Sequence, residues 1–212
     1  MNSSNNWQPI GDWIQTYTTK KFWPLSPRVE DVCIEDIAHS LSLQTRFNGH
    51  CRTFYSIAQH SVLAARELLK ATKDRTIAMQ GLLHDASEAY ICDLPRPIKS
   101  YITNYKELEE QLMQCIAVKF NLNYPFHELV KKIDTVLLAT EARDLMDGDC
   151  LAKWKLVEQP LPYIIIPMSH RRAKEEFLFT YYLLKNELES IDRLLTVFNT
   201  QFLDSDNDHT SY

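Results

Sequence analysis

Four glycines in 212 residues leave this chain few positions for tight turns or left-handed backbone, which weighs against a loop-rich all-β fold. Apolar residues instead recur at helical spacing, as at Ile57, Leu63, Ala64 and Leu68. Prolines punctuate the pattern at Asp93-Leu94-Pro95-Arg96-Pro97 and again at Pro160, Pro162 and Pro167. The expectation is an all-α, single-domain bundle of six to seven helices behind an irregular N-terminal arm. Helices are predicted over 33–44, from a Ser56 cap to about 72, from an Asp74 cap to about Tyr90, over 104–120, over 125–147 with Pro125 in the first turn, from Ser169 to about Leu188, and near 190–203. Residues 1–32, rich in tryptophan and proline, suit short strands or an ordered arm. The polar tail 204–212 reads as disordered.

Composition removes several classes of function. The net charge is −5, so no nucleic-acid or anionic-membrane partner is advertised. Any polyanionic substrate has to be drawn by a local metal and a few cations. Cys33, Cys51, Cys92, Cys115 and Cys150 are scattered, odd in number and never spaced C-x-x-C, as expected of free thiols in a reducing compartment. No apolar run approaches membrane-spanning length, and the expected location is the cytoplasm, or a host's cytoplasm if the chain is viral.

Against this background His60, His84-Asp85, Glu88 and Asp134 stand out, because each interrupts a helical segment that otherwise reads as core. Asp134, between Ile133 and Val136-Leu137-Leu138, is the hardest to dismiss: a buried carboxylate is costly unless paired or metal-bound. Imidazole with carboxylate suits Mn, Fe, Co, Ni or Zn, and four such ligands leave positions open for water and a substrate oxygen. The adjacent His84 and Asp85 can share one ion if a helix end points at it. Glu88, one turn further, is spaced to orient a water or carry protons. Arg46, Lys99 and Lys131 are the candidate cations for a transferred phosphoryl group, and Lys131 lies one turn before Asp134. His39 and His50 are candidate entrance residues. His127, His170 and the Arg171-Arg172 pair read as solvated helix starts, and Phe177, Phe179, Tyr181 and Tyr182 as packing.

The strings Ala58-Gln59-His60-Ser61, Leu83-His84-Asp85-Ala86-Ser87-Glu88 and Asp93-Leu94-Pro95-Arg96-Pro97-Ile98-Lys99, with Asp134 some fifty residues after the His-Asp pair, resemble the HD-domain phosphohydrolases. The branch it looks like contains bacterial 5'-deoxynucleotidases and small viral and bacterial dNTP triphosphohydrolases, and the similarity covers about 34–146 of a domain placed at 1–203. The resemblance implies His60, His84, Asp85 and Asp134 as ligands of a divalent ion (Co, Mn, Zn or Mg). It implies Glu88 as catalytic acid/base and Asp93 as its assistant. Arg46 and Phe47 would lie beside sugar and phosphate, with Phe47 packing where a 2'-hydroxyl would go, and Lys99 and Lys131 would contact phosphate. The implied reaction is hydrolysis of deoxynucleotide phosphates, either dNTP to nucleoside plus triphosphate or dNMP to nucleoside plus phosphate, in a homo-oligomer. A nucleotide-sensing module without turnover and a cyclic or alarmone nucleotide phosphodiesterase remain as alternatives.

Overall fold

The computed structural model describes residues 7–185, and these form an all-α domain with one two-stranded hairpin. The predicted N-terminal arm contains that hairpin: β1 (Ile14–Gln15) pairs antiparallel with β2 (Lys21–Phe22), Ile14 opposite Phe22. Phe22 is fully buried and stacks on Tyr90, which pins the arm to the bundle.

The helices follow as α1 (Ile34–Leu43), α2 (Ile57–Thr72), α3 (Arg75–Leu83), α4 (Glu88–Ile91), α5 (Arg96–Lys99), α6 (Tyr105–Lys119), α7 (Glu128–Leu145), α8 (Cys150–Lys153) and α9 (His170–Lys185). Both expected caps form. The Ser56 hydroxyl accepts the Gln59 amide, and an Asp74 oxygen accepts the Thr76 and Ile77 amides, interactions of about 1 kcal/mol each. Helix α2 is the axis of the fold. It is buried without interruption from Ile57 to Arg66 and packs against α1, α3, α7 and α9, so its polar residues Gln59, His60 and Arg66 must find partners inside the fold. A buried ion pair, Arg66 to Glu176 at 2.6 Å, fastens it to α9.

Gly81 sets how closely α3 approaches α2. A side chain there would run into Leu68 and press on the backbone of Ala64 and Ala65. The close approach brings the last turn of α3 beside the first turns of α2.

Three expectations are corrected. The single helix predicted from Asp74 to Tyr90 is two, because the chain tightens to i→i+3 bonds after Leu83 (Ala86 amide to Leu83 carbonyl, 3.0 Å; Glu88 amide to Asp85 carbonyl, 3.0 Å). The helix predicted from 125 begins only at Glu128, with the His127 ring accepting the Leu129 amide as its cap. Prolines 95 and 97, read as breakers, flank and open α5, whose first-turn amides need no helical acceptor. The expected helix near 190–203 and the tail 204–212 lie outside the described residues. No described helix is long and apolar enough to cross a membrane.

Candidate metal centre

Three elements converge on one point. His60 is the fourth residue of α2, His84 ends α3, and Asp134 lies in the second turn of α7. The Nε2 atoms of the two histidines are 3.2 Å apart, and Asp134 Oδ1 is 3.1 Å from that of His60 and 3.9 Å from that of His84. Asp85 joins from the turn after α3, with Oδ2 3.2 Å from His84 Nε2 and 3.7 Å from His60 Nε2. A four-coordinate ion bound at roughly 2.0–2.1 Å spaces its ligand atoms roughly 3.3 Å apart, so the separations among His60, His84 and Asp134 could hold one small divalent ion. Of the four residues expected as ligands, His60, His84 and Asp134 form this cluster, and Asp85 lies against the two histidines.

The hydrogen bonds behind the rings decide what their front atoms offer. His84 Nδ1 is 2.8 Å from the Gly81 carbonyl oxygen, which can only accept, so this nitrogen carries the proton. His60 Nδ1 is 2.6 Å from Glu141 Oε1, a buried carboxylate, and donates to it. Both Nε2 atoms thus present lone pairs to each other and to two carboxylates, an arrangement that repels itself unless a cation stands in the middle. Without an ion the demand falls on protons. Burial and Arg46 push His60 down, yet Glu141 and the Asp134 hydrogen bond prevail and raise it from 6.5 to about 9. His84 is raised too, with Asp85 and Asp134 overcoming its burial. Asp134 is held well below the usual carboxylate range, since its bonds to both histidines outweigh burial. The donor set and its charge fit the implied metal: Asp85, Asp134 and Glu141 against Arg46 leave two negative charges for a divalent ion to balance.

Glu141 was not singled out from sequence. It lies two turns beyond Asp134 on α7, is fully buried, and takes hydrogen bonds from His60, from the Tyr55 hydroxyl (2.9 Å) and from Arg46 Nη2 (2.9 Å). Burial alone would raise its pKa, but Arg46 and His60 lower it. It orients the imidazole as outer carboxylates do in metal sites. A glutamate in Leu138-Ala139-Thr140-Glu141-Ala142 at i+7 from Asp134 was the available signal.

Arg46 reaches the centre differently from the expectation that set it against phosphate. Its guanidinium bonds Glu141 and lies 3.5 Å from Asp85, so it braces the carboxylates; Nε is buried without a partner. Phe47 and Asn48, in the short 3-10 turn Arg46–Gly49, both have positive φ, and the Phe47 ring stacks on Trp154 at 5.7 Å. Lys131 is exposed and makes no ion pair among the described residues.

Glu88 opens α4 and is 5% exposed. Its Oε1 is 3.6 Å from Lys99 Nζ, while Oε2 is buried with no hydrogen-bond partner. Burial, then the charges of Asp85 and Asp93, raise its pKa well above the ordinary value. Lys99 also pairs with Glu109 on α6 at 3.0 Å. A second residue missed in the sequence holds this segment. The Gln44 carboxamide, at the end of α1, donates to the Glu88 carbonyl (2.9 Å) and accepts the Asp93 amide (3.4 Å). His39 stacks on Tyr17 at 3.8 Å beneath Lys174, away from the centre, and His50, His127 and His170 are exposed.

Fold and site together define an all-α protein whose central helices carry a histidine–carboxylate cluster able to hold a metal ion. No family model matches the chain. It is 40% identical over 168 residues to the uncharacterized protein YfdR of Escherichia coli (strain K12), covering 78% of this chain and 92% of that protein. It is 31% identical over 168 residues to the uncharacterized protein RCAP_rcc00048 of Rhodobacter capsulatus, covering 75% and 86%. The chain belongs to the family that includes these two proteins.

Proposed function

We propose that this protein is an HD-type, divalent-metal-dependent phosphohydrolase acting on deoxynucleotides in the cytoplasm. The observation that carries the reading is the meeting of two imidazoles and two carboxylates beside a buried Glu88 with an unpaired oxygen. When bound, a divalent ion supplies Lewis-acid polarisation of a phosphoryl oxygen and activation of water. The protein's own groups do the rest. His60, His84, Asp85 and Asp134 hold the ion, while Glu141 and the Gly81 carbonyl fix the two rings. Glu88, its pKa raised by burial, is the group to pass a proton to a departing ester oxygen, and Lys99, 3.6 Å away and held by Glu109, meets phosphate charge. The Nε–H of Arg46 is buried without a hydrogen-bond partner and is a further donor beside the carboxylates that Arg46 braces. Phe47, backed by Trp154, supplies an apolar face against a 2'-hydroxyl.

The test is elemental analysis of the purified protein, followed by incubation with dNMP, NMP, dNTP and NTP panels and Co, Mn, Zn or Mg. Chromatography then separates triphosphate from orthophosphate. Metal-dependent release from deoxynucleotides is expected, and Glu88→Ala should keep the metal while losing about 10²-fold or more in turnover. Failure to release any phosphate species from any nucleotide removes the reading.

A further inference from the structure

Beside the cluster lies a cavity of about 450 Å³, between α6 and the segment leading into α7, a volume that suits a nucleoside. His84 forms part of its wall as well as part of the cluster, and Ser87, next to Glu88, lines it too. A molecule with one end at the metal centre therefore has this space for the other.

The far wall is aromatic and acidic. Tyr124 and Phe126 sit with ring centroids 5.5 Å apart at 76°, offering a face and an edge, and Met113 backs them. Tyr124 is 37% exposed, a large ring left uncovered at the mouth. Lys106, Glu109 and Glu110 line the cavity from one face of α6, the two glutamates one turn beyond the lysine. Glu109 is taken by Lys99, whereas Glu110 has no ion-pair partner among the described residues. Such a wall offers a phosphate chain no surplus of positive charge, and a neutral planar ring needs none. A free carboxylate accepts N–H groups, so it suits a ring edge with an amino donor, as in adenine or cytosine. The thymine edge presents O4 at that position and is disfavoured.

We propose that this cavity seats the base of the nucleotide, with Tyr124 stacking on an amino-bearing base and Glu110 accepting its amino group. The proposal rests on the hydrolase reading for the placement of the phosphate, but its own test is binding. The full-length protein, loaded with Mn, is titrated calorimetrically with deoxyadenosine and with thymidine, neither of which can be hydrolysed. Deoxyadenosine should bind about tenfold more tightly than thymidine. Tyr124→Ala should weaken deoxyadenosine about tenfold, as loss of one stacking platform does. Glu110→Gln should narrow the gap between the two nucleosides, because a carboxamide both donates and accepts. Both side chains contact the solvent-open cavity, so metal content and cooperative melting should stay as in the wild type. Absence of deoxyadenosine binding, or a Tyr124→Ala variant that binds it like the wild type, overturns the proposal. Binding that depends on Tyr124 in a protein that hydrolyses no nucleotide keeps the base site and discards the hydrolase. Turnover with binding indifferent to Tyr124 does the reverse.

Discussion

Glu141→Gln isolates what the outer carboxylate does for the metal centre. The substitution keeps the shape of the side chain but removes its charge; with the carboxamide oxygen still accepting from His60 and Tyr55, the amide nitrogen takes the place of the oxygen that accepts from Arg46. Two costs follow. His60 then faces a neutral oxygen in place of the carboxylate that makes it a better ligand, and loss of such a carboxylate in comparable sites lowers metal affinity about 10–100-fold, or about 1.4–2.8 kcal/mol. Arg46 stays buried with only Asp85 at 3.5 Å, and breaking such a pair costs about 3–5 kcal/mol. At about 2–4 °C per kcal/mol for a chain of this size, the melting temperature should fall about 6–20 °C. Chelator competition gives the affinity and thermal denaturation the stability. Tyr55→Phe is the control: it removes one hydrogen bond of about 1 kcal/mol, keeps the carboxylate, and should leave affinity nearly unchanged. A Glu141→Gln protein that melts cooperatively and binds metal within about threefold of the wild type would refute the reasoning.

Three further outcomes are expected. In metal-stripped protein His60 is raised from 6.5 to about 9, so its stabilisation is complete below pH 6.5 and disappears as pH rises through about 9. At about 1.4 kcal/mol per pH unit this is about 3 kcal/mol, and melting curves should decline across that window for stripped protein but not for metal-loaded protein; a flat profile for the stripped form contradicts the assignment. Gly81→Ala should destabilise by about 1–3 kcal/mol in chemical denaturation and weaken metal binding, because it forces apart α2 and α3 and shifts the carbonyl that holds His84. Gln44→Ala should leave metal content intact while lowering nucleotide turnover about tenfold, because two backbone groups flanking the acid lose their partner; equal kcat in the variant would show that Gln44 serves only the fold.

The sequence alone determined what depends on neighbours a few residues apart. Capping at Ser56 and Asp74, the helical stretches and their proline boundaries are set by local hydrogen bonding and steric exclusion, and they are found nearly where periodicity placed them. It also supplied His60, His84, Asp85 and Asp134, because a titratable group inside an apolar helix is conspicuous without knowing what it faces. Tertiary structure decided the rest. The break after Leu83 arises where α3 ends against α2, and Gly81 is a weak local signal for it that periodicity overrode. Glu141 becomes important only because α7 lies along α2 and aims it at the far side of His60, and Arg46 braces carboxylates because a turn between α1 and α2 folds beneath them. Buried charge is stable only beside its counter-charge, and the chain carries those partners some forty to ninety-five residues apart, beyond the reach of any local pattern.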